Sequence, residues 1–379
     1  TGTEQNSEWE WEQWFEVSMK PLLSRMALAP TDGNHDDTPN LNYTYHFNTD
    51  KTFNETATVK PQFDGITYSF VYGDALFMVY SHQDFWRGSY SYANGTSTYL
   101  SNDVANWFRD QVEKYPDTKW RIAAVHKNLF TGSGHQTDED GALFRATLLP
   151  VFQELNIDFV IQGHDHIYEV MGPINNTTKT IVPGSVTNVE LVSPDSNKNP
   201  KGQQGGTFNV KDGTLYFVNG TCGRKRYYPY TQDEMEAGFD KHKVEGYWDL
   251  FTGKYGQPGA PAFSEISVSS SEIEVNTYTS DANAQATLFD TFKIVKSGNT
   301  GIEENKQSAK LYPTYAKDKI NTTESDIIQV NAIDLTGKIY TLPFDNQHID
   351  VSNLTDGIYV VQIFTNEKTR SERIVKTSR

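Results

Sequence analysis

The chain has few cysteines, a deficit of basic residues and no long apolar stretch. Its 379 residues include a single cysteine, Cys222, so no intrachain disulfide can form and a disulfide-stapled fold is excluded. Lys and Arg number 33 against 49 Asp and Glu, and the resulting net charge of −16 argues against a nucleic-acid-binding protein. The absence of a run of about 18 apolar residues predicts no transmembrane helix.

The N-terminal segment TGTEQNSEWEWEQWFEV lacks the basic and apolar regions of a signal peptide and does not start with Met. We therefore expect a mature form or a fragment rather than a precursor with its leader. Hydrophobic residues make up 36% of the chain and aromatic residues 13%, which is typical of a globular protein. The length suits two or three domains.

Hydrophobic periodicity divides the chain into an α/β part and a β part. It predicts a helix over residues 8–28, a hairpin over 68–80 that turns at Gly73-Asp74, helices over 98–114 and 143–155, and buried strands over 120–125 and 159–161. Strand, helix and strand in this order indicate an α/β sheet. From residue 215 the pattern is β. Residues 297–308 are predicted as a linker, and 309–379 as a small all-β sandwich.

Three polar clusters indicate a metal site. They are GNHD at residues 33–36, His126 directly after a buried strand, and GHDH at residues 163–166. A single GNHD segment is commonly a turn and a single histidine is commonly structural, so neither alone indicates a metal site. In an α/β sheet, however, the loops beyond the strand C-termini gather at one edge. Imidazole nitrogens there are good ligands for Zn, Fe and Mn ions.

These clusters resemble the second half of the calcineurin-like metallophosphoesterase signature. Their flanks, among them EWEQWF, AAVHKNLFTGSGH, VIQGHDHIYEV and FDTFKIVK, are similar to purple-acid-phosphatase-type enzymes over about residues 8–296. The resemblance implies a catalytic domain over residues 1–296 with a metallophosphoesterase α/β sandwich fold. It also implies two metal ions of the Fe, Zn or Mn type.

The resemblance further implies a role for each matching residue. Asn34, His126 and His164 would ligate one ion and His166 the other, while His35 would protonate the leaving oxygen. A hydroxide that bridges the two ions would attack the phosphorus of a phosphomonoester in line. The substrate class is open between a phosphomonoester and the phosphodiester or nucleotide substrates of the same fold.

The sequence departs from the family pattern at its start. The family carries two aspartate motifs upstream of GNHD, and neither is present in the 33 residues before Asn34. Two explanations stand. Either an N-terminal segment with the first strands belongs to the same protein and is missing here, or the chain is a non-catalytic surface protein with a degenerate site. The retained ligand residues favour the first explanation.

Weaker predictions concern three residues near the motifs and one histidine elsewhere. His135, in TGSGHQ, faces the substrate phosphate or makes a loop hydrogen bond. Asp36 orients His35 or caps its turn, and Asp165 supports the ligands or shapes the GHDH turn. His82, after the strand LFMVY, is predicted to be structural.

The C-terminal 71 residues, 309–379, resemble a second family. The segments LYPTYAKDKI, IDLTGKIY, IDVSNLTDGIYVVQI and RIVKTSR are similar to the type A sorting domain of the type IX secretion system. That resemblance implies an Ig-like β-sandwich that is recognised by the secretion translocon. It implies a protein that is secreted or displayed at the cell surface, through the outer membrane of a Bacteroidetes-type bacterium.

Overall fold

The computed structural model describes residues 8–36, 43, 46–49, 65–82, 101–196, 198–239, 243–296, 315–322, 326–334, 336–345, 348–366 and 369–378. The chain divides into two compact units, Thr1–Gly298 and Asn299–Arg379. The predicted linker, and Tyr312 and Pro313 of the segment LYPTYAKDKI, lie outside the described residues. No described helix combines the length and the apolar character needed to cross a bilayer.

The helices of the larger unit are short at its N-terminus and longer in its middle. They are α1 Glu8–Glu12, a π-helical segment Gln13–Met19, α2 Lys20–Leu23, α3 Ser101–Lys114, α4 Glu139–Glu154, α5 Gln232–Ala237 and a 3₁₀ turn Tyr247–Leu250. The prediction of one helix to residue 28 is wrong at its end. The amides of Arg25 and Met26 both bond the Leu22 carbonyl, which closes the last turn and stops the helical ladder.

Fifteen described strands belong to the larger unit. They are β1 Tyr68–Tyr72, β2 Ala75–Val79, β3 Trp120–Ala124, β4 Phe159–Gln162, β5 Tyr168–Asn175, β6 Thr180–Ile181, β7 Val186–Thr187, β8 Glu190–Leu191, β9 Gln203–Gln204, β10 Thr207–Asn209, β11 Thr214–Asn219, β12 Phe251–Gly256, β13 Ala262–Val268, β14 Glu272–Ser280 and β15 Ala286–Val295. One sheet has the order β1-β2-β3-β4-β11-β5-β12 with β6 beside β5, and a second has the order β13-β14-β15-β10-β7.

The first sheet is covered on both faces, which explains its nearly continuous apolar strands. Trp107 and Phe108 of α3 and Phe152 of α4 lie in one core, together with residues of β2. A second core joins side chains of the first sheet to side chains of β14 and β15 in the second sheet. The helices, the first sheet and the second sheet therefore form three layers. The predicted α/β fold is confirmed.

The predicted hairpin is also present. Strands β1 and β2 pair antiparallel, and Gly73 takes a left-handed φ of 57° in the turn. Strands β2, β3, β4 and β11 run parallel to one another. Strand β5 was not predicted, because Gly172 and Pro173 interrupt its apolar pattern in the way that a turn would.

The smaller unit is all-β in the part that the structure describes. Its strands are β16 Tyr315–Ala316, β17 Lys319–Asn321, β18 Ile327–Asp334, β19 Ile339–Thr341, β20 His348–Asp350, β21 Gly357–Thr365 and β22 Thr369–Lys376. A five-stranded sheet, β16-β22-β21-β18-β19, and the β17-β20 pair share one apolar core. The predicted all-β architecture of this unit is confirmed.

Candidate metal centre

Three histidines follow three neighbouring parallel strands at the same edge of the first sheet. His82 comes after β2, His126 after β3 and His164 after β4. Backbone bonds extend the ladder past the strand ends, since Val125 donates to Ile161 and Gly163 donates to the His126 carbonyl at 2.9 Å. The pairing of the strands therefore fixes the spacing of the loops that carry these imidazoles.

Asn34, His126 and His164 converge on one point. The His126 Nε2 atom lies 2.9 Å from Asn34 Oδ1 and 3.2 Å from His164 Nδ1. The Asn34 turn is closed by Asp36, whose Oδ2 accepts a bond from the Gly33 amide at 2.9 Å. Three donor atoms of types that Zn, Fe and Mn ions accept thus face one another from three separate loops.

Both histidines of this group are held in the neutral form that a metal ligand needs. Burial is the main cause that lowers the pKa of His126 to about 4, with Asp36 opposing it and Lys127 and neighbouring histidines adding to it. Burial also lowers the pKa of His164, with a further contribution from His135. The His164 Nε2 atom is buried without a hydrogen-bond partner among the described residues.

His166 is oriented by the loop after β11. Its Nδ1–H donates to the Lys225 carbonyl at 2.8 Å, so the lone pair lies on Nε2. A carbonyl partner of this kind fixes the tautomer of many metal-bound histidines. Tyr227 stacks on the ring with centroids 5.0 Å apart, and burial lowers the His166 pKa. His166 is thus prepared to ligate through Nε2, although it makes no direct contact with His126 or His164 in the described structure.

His35 and His135 approach the centre from different sides. His35 is exposed on the Asn34 turn, and its charge contributes to the low pKa of His126. The ring centroid of His135 lies 3.9 Å from that of His164. His135 Nδ1 bonds Asp138 Oδ2 at 2.8 Å, which raises the His135 pKa against the opposing effect of burial. The ligand atoms of His135, Asp138 and His164 all lie within 4.8 Å of one another.

A buried hydrogen-bond chain lies behind His135. Asp165 is fully buried, with Oδ2 at 2.5 Å from the Thr131 hydroxyl and Oδ1 at 3.9 Å from His135 Nε2. The same hydroxyl lies 2.8 Å from Oε1 of Glu169, which is also fully buried and accepts the Gly132 amide at 3.2 Å. A hydroxyl carries one hydrogen and can donate to one carboxylate.

Thr131 can donate to only one of the two carboxyl groups, Asp165 or Glu169, so the other must carry a proton and donate it to the Thr131 oxygen. We assign this proton to Glu169, because Asp165 is the carboxyl that faces His135. Burial raises the pKa of Glu169 well above its ordinary value of 4.5, and the charge of Asp165 raises it further. Burial also raises the pKa of Asp165, against the opposing effects of Thr131 and His135. Asp165 thus lies in a hydrogen-bond network with Thr131, and its role as a support for the ligands stays a prediction. Glu169 was not predicted.

Two further groups close the back of the centre. His82 is 1% exposed and its ring centroid lies 5.4 Å from that of His126, closer to the centre than its predicted structural role required. Asp32, which was also missed, is buried and accepts a bond from the Ser81 hydroxyl at 2.7 Å. Neither residue belongs to a sequence motif. For His82, the signal available in the sequence was its position just after a predicted strand, which is also the position of His126.

Gln162, the last residue of β4, holds the loop that follows His126. Its Oε1 accepts the Leu129 amide at 2.6 Å, and its Nε2 donates to the Phe130 carbonyl at 3.2 Å. Arg145 of α4 donates to the Leu129 carbonyl from the other side. The loop between His126 and His135 is therefore fixed by buried polar contacts, and both histidines hold their positions.

Two family models match the chain. Residues 2–168 match the calcineurin-like phosphoesterase model, and residues 310–377 match the secretion system C-terminal sorting domain. The first match covers less than half of the chain and includes Asn34, His126, His164 and His166. The second match lies in the smaller unit, where the sequence resembles a sorting domain.

Curated proteins that are similar to this chain include examples from a bacterium and a plant. Uncharacterised proteins from two strains of Mycobacterium tuberculosis are 25% identical over 186 residues, which is 46% of this chain and 34% of theirs. Purple acid phosphatase 5 of Arabidopsis thaliana is 31% identical over 87 residues, 22% of each chain. The chain thus spans about a third or less of the length of these relatives.

Solved structures to which the chain is similar include purple acid phosphatase PPD1 from yellow lupin (Lupinus luteus) seeds. It has a TM-score of 0.32 at 14% identity, over 61% of this chain and 33% of that one. GAP50, the anchor in the inner membrane complex of Plasmodium, has a TM-score of 0.34 at 11% identity, over 63% of this chain and 57% of that one.

Proposed function

We propose that this protein is an exported phosphatase that uses two metal ions to hydrolyse phosphomonoesters. The proposal rests on the convergence of three atoms from three loops. His126 Nε2 lies 2.9 Å from Asn34 Oδ1 and 3.2 Å from His164 Nδ1. These three residues hold one ion, and His166 holds the other through Nε2. Bound there, such a pair of ions supplies an activated water and offsets the charge of the phosphoryl group.

The remaining residues bind and protonate the substrate. His135 faces the phosphoryl oxygens, and its bond to Asp138 favours the imidazolium form that attracts them. His35 protonates the leaving oxygen from the exposed side of the Asn34 turn, where a substrate has access. The neutral His126 and His164 stay available as ligands because burial disfavours their protonated forms.

A turnover assay with p-nitrophenyl phosphate tests the proposal. The chain is prepared with and without added Fe, Zn or Mn, and its bound metal is measured alongside turnover. His35→Ala should lower kcat by about 10²- to 10⁴-fold, the range for loss of a general acid, without loss of bound metal. His348→Ala, in the smaller unit, is the matched control and should change neither quantity.

The second arm of this test uses a form of the chain that carries any sequence encoded upstream of Thr1. If such a segment supplies carboxylate ligands, the extended form should bind metal more tightly, since four protein ligands are few for two ions. If neither the chain nor its extended form binds metal or turns over the ester, the phosphatase proposal is wrong. A non-catalytic surface protein would then be the better description.

We further propose that the sorting domain directs export through the type IX translocon to the cell surface or the medium. The match of residues 310–377 to the secretion system C-terminal sorting domain supports this export route. Fusion of residues 309–379 to a reporter in a bacterium with a type IX system should move the reporter across the outer membrane. A reporter that stays in the periplasm would contradict the proposal.

A further inference from the structure

A short basic loop borders the candidate metal centre in this acidic chain. The residues Arg224, Lys225 and Arg226 are consecutive, and the first two are exposed. Their concentration is unusual for a protein with 33 basic and 49 acidic residues. We call residues 223–228 the basic loop.

The basic loop is fixed to the centre by backbone and ring contacts. The Lys225 carbonyl accepts the His166 Nδ1–H at 2.8 Å, and Gln257 Nε2 donates to the carbonyls of both His166 and Tyr227, at 2.8 and 2.6 Å. The Tyr227 ring lies 5.0 Å from the His166 ring and 5.7 Å from the His135 ring. The loop therefore borders both the ligand side and the phosphate side of the centre.

The cations of the basic loop have no acidic partner within the described residues. None of the three forms an ion pair there, and Arg226 Nε is buried without a hydrogen-bond acceptor. Lys225 Nζ lies 4.9 Å from the Tyr227 centroid, which places its charge over a ring that stacks on His166. In a chain with excess acid, clustered unpaired cations beside a site attract an anion.

The reacting phosphoryl group already has partners of its own in the proposed function, namely His35, His135 and the ligand residues. The basic loop lies next to them, so its cations are available for a different part of a bound molecule. Guanidinium groups bind phosphate oxygens in a bidentate manner, and a lysine ammonium adds a point charge. A second phosphate group is the anion that matches three adjacent cations.

We propose that the basic loop binds a second phosphate group of the substrate, so that the preferred substrates carry two or more phosphates. Nucleoside diphosphates and sugar bisphosphates share this chemistry. The inference rests on the proposed function for the position of the reacting phosphoryl group. It adds a specificity site that the ligand residues themselves do not provide.

Equilibrium binding to the full chain tests this inference without turnover. Methylenediphosphonate and methylphosphonate, which carry two and one phosphonate groups and are not hydrolysed, are titrated by calorimetry with and without added Mn. The Kd ratio between the two ligands should favour the diphosphonate, and it should fall by roughly tenfold in R224E/K225E. K211E makes a similar charge change on an exposed lysine elsewhere and should leave the ratio unchanged.

The outcomes separate the two proposals. Weaker discrimination at higher salt, together with a lower ratio in R224E/K225E, supports the basic loop as the second-phosphate site. An unchanged ratio in that variant, in a chain that still turns over p-nitrophenyl phosphate, overturns this inference and leaves the phosphatase standing. Binding of neither ligand and no turnover overturns both. If R224E/K225E does not fold, R224Q/K225Q removes the same charges and is judged by the same ratio.

Turnover then distinguishes the sources of the second phosphate. The kcat/KM ratios for ADP over AMP and for fructose 1,6-bisphosphate over fructose 6-phosphate are compared in the wild type and in the loop variant. Both ratios should fall in the variant. A fall in neither contradicts the proposal, and a fall in one assigns the substrate class to that pair.

Discussion

Replacement of Glu169 by Gln tests whether a neutral acid lies behind the metal centre. Thr131 Oγ1 lies 2.5 Å from Asp165 and 2.8 Å from Glu169, and its single hydrogen can serve one of them. In Glu169→Gln the side-chain amide donates to the Thr131 oxygen, and its carbonyl accepts the Gly132 amide. The substitution therefore keeps the hydrogen bonds of a protonated glutamic acid and removes its ability to ionise.

The expected effect is a change in the pH dependence of stability. A raised folded-state pKa means that the folded protein binds a proton which the unfolded chain has lost above its ordinary pKa of 4.5. That contribution is fully present below pH 4.5 and is lost as the pH rises. The wild type should lose up to about 1.4 kcal/mol of unfolding free energy per pH unit relative to Glu169→Gln. From pH 5 to 7 the difference reaches up to about 2.7 kcal/mol, until the folded-state carboxyl itself ionises.

Urea unfolding of the metal-free protein at pH 5, 6 and 7 measures this difference. All seven tryptophans lie before residue 298, so their fluorescence reports on the larger unit alone. Glu113→Gln, on the exposed face of α3, is the matched control and should follow the wild type at every pH. Parallel pH profiles for the wild type and Glu169→Gln would refute the reasoning, since they would mean that Glu169 is already ionised in the folded protein.

Three other perturbations give separate outcomes. In the wild type, Lys296 Nζ lies 2.7 Å from the buried carboxylate of Asp158. Lys296→Met removes this cation and should lower the free energy of unfolding, measured in urea, by about 2–3 kcal/mol. The double variant Lys296→Met/Asp158→Asn should restore most of that loss, because no buried charge is left without a partner. His164→Ala should reduce bound metal by one ion per chain in elemental analysis, and full retention would remove His164 from the ligand set. Deletion of residues 309–379 should leave the melting of the larger unit unchanged, because the two units have separate cores, while it abolishes export. A lower melting temperature or normal export would contradict one half of that expectation.

The layout of the fold and the meeting of the histidine loops were predictable from local patterns. Apolar runs of four to five residues between helices define the parallel strands, and the ends of such strands meet at one edge. His126 and His164 accordingly face each other, and Asn34 reaches them from its turn. Their roles as ligands stay predictions.

Other features depend on tertiary neighbours and carry no local signal. Glu169 lies within strand β5, which was not predicted, and its significance comes from a hydroxyl 38 positions earlier in the chain. Asp138 matters through its distance to His135, and the basic loop through a carbonyl contact with His166. The N-terminal helix also ends earlier than predicted, where the Leu22 carbonyl accepts the amides of both Arg25 and Met26. Hydrophobic periodicity gives no information on such a bond.

The charges around the centre bear on how an acidic chain could carry out the proposed phosphate chemistry. At long range a net charge of −16 repels a phosphate ester, so under the proposed function recognition must come from charges placed within a few ångströms. The proton that we assign to Glu169 neutralises one of the three buried carboxyls near the centre, the others being Asp165 and Asp32, and Asp138 pairs with His135. Burial favours the neutral forms of His126 and His164, so an ion held by them under the proposed function would add its full positive charge. With the unpaired cations of the basic loop beside them, the centre becomes locally positive within an acidic surface. Phosphate binding should therefore depend strongly on metal and on the basic loop, and weakly on the net charge of the rest of the protein.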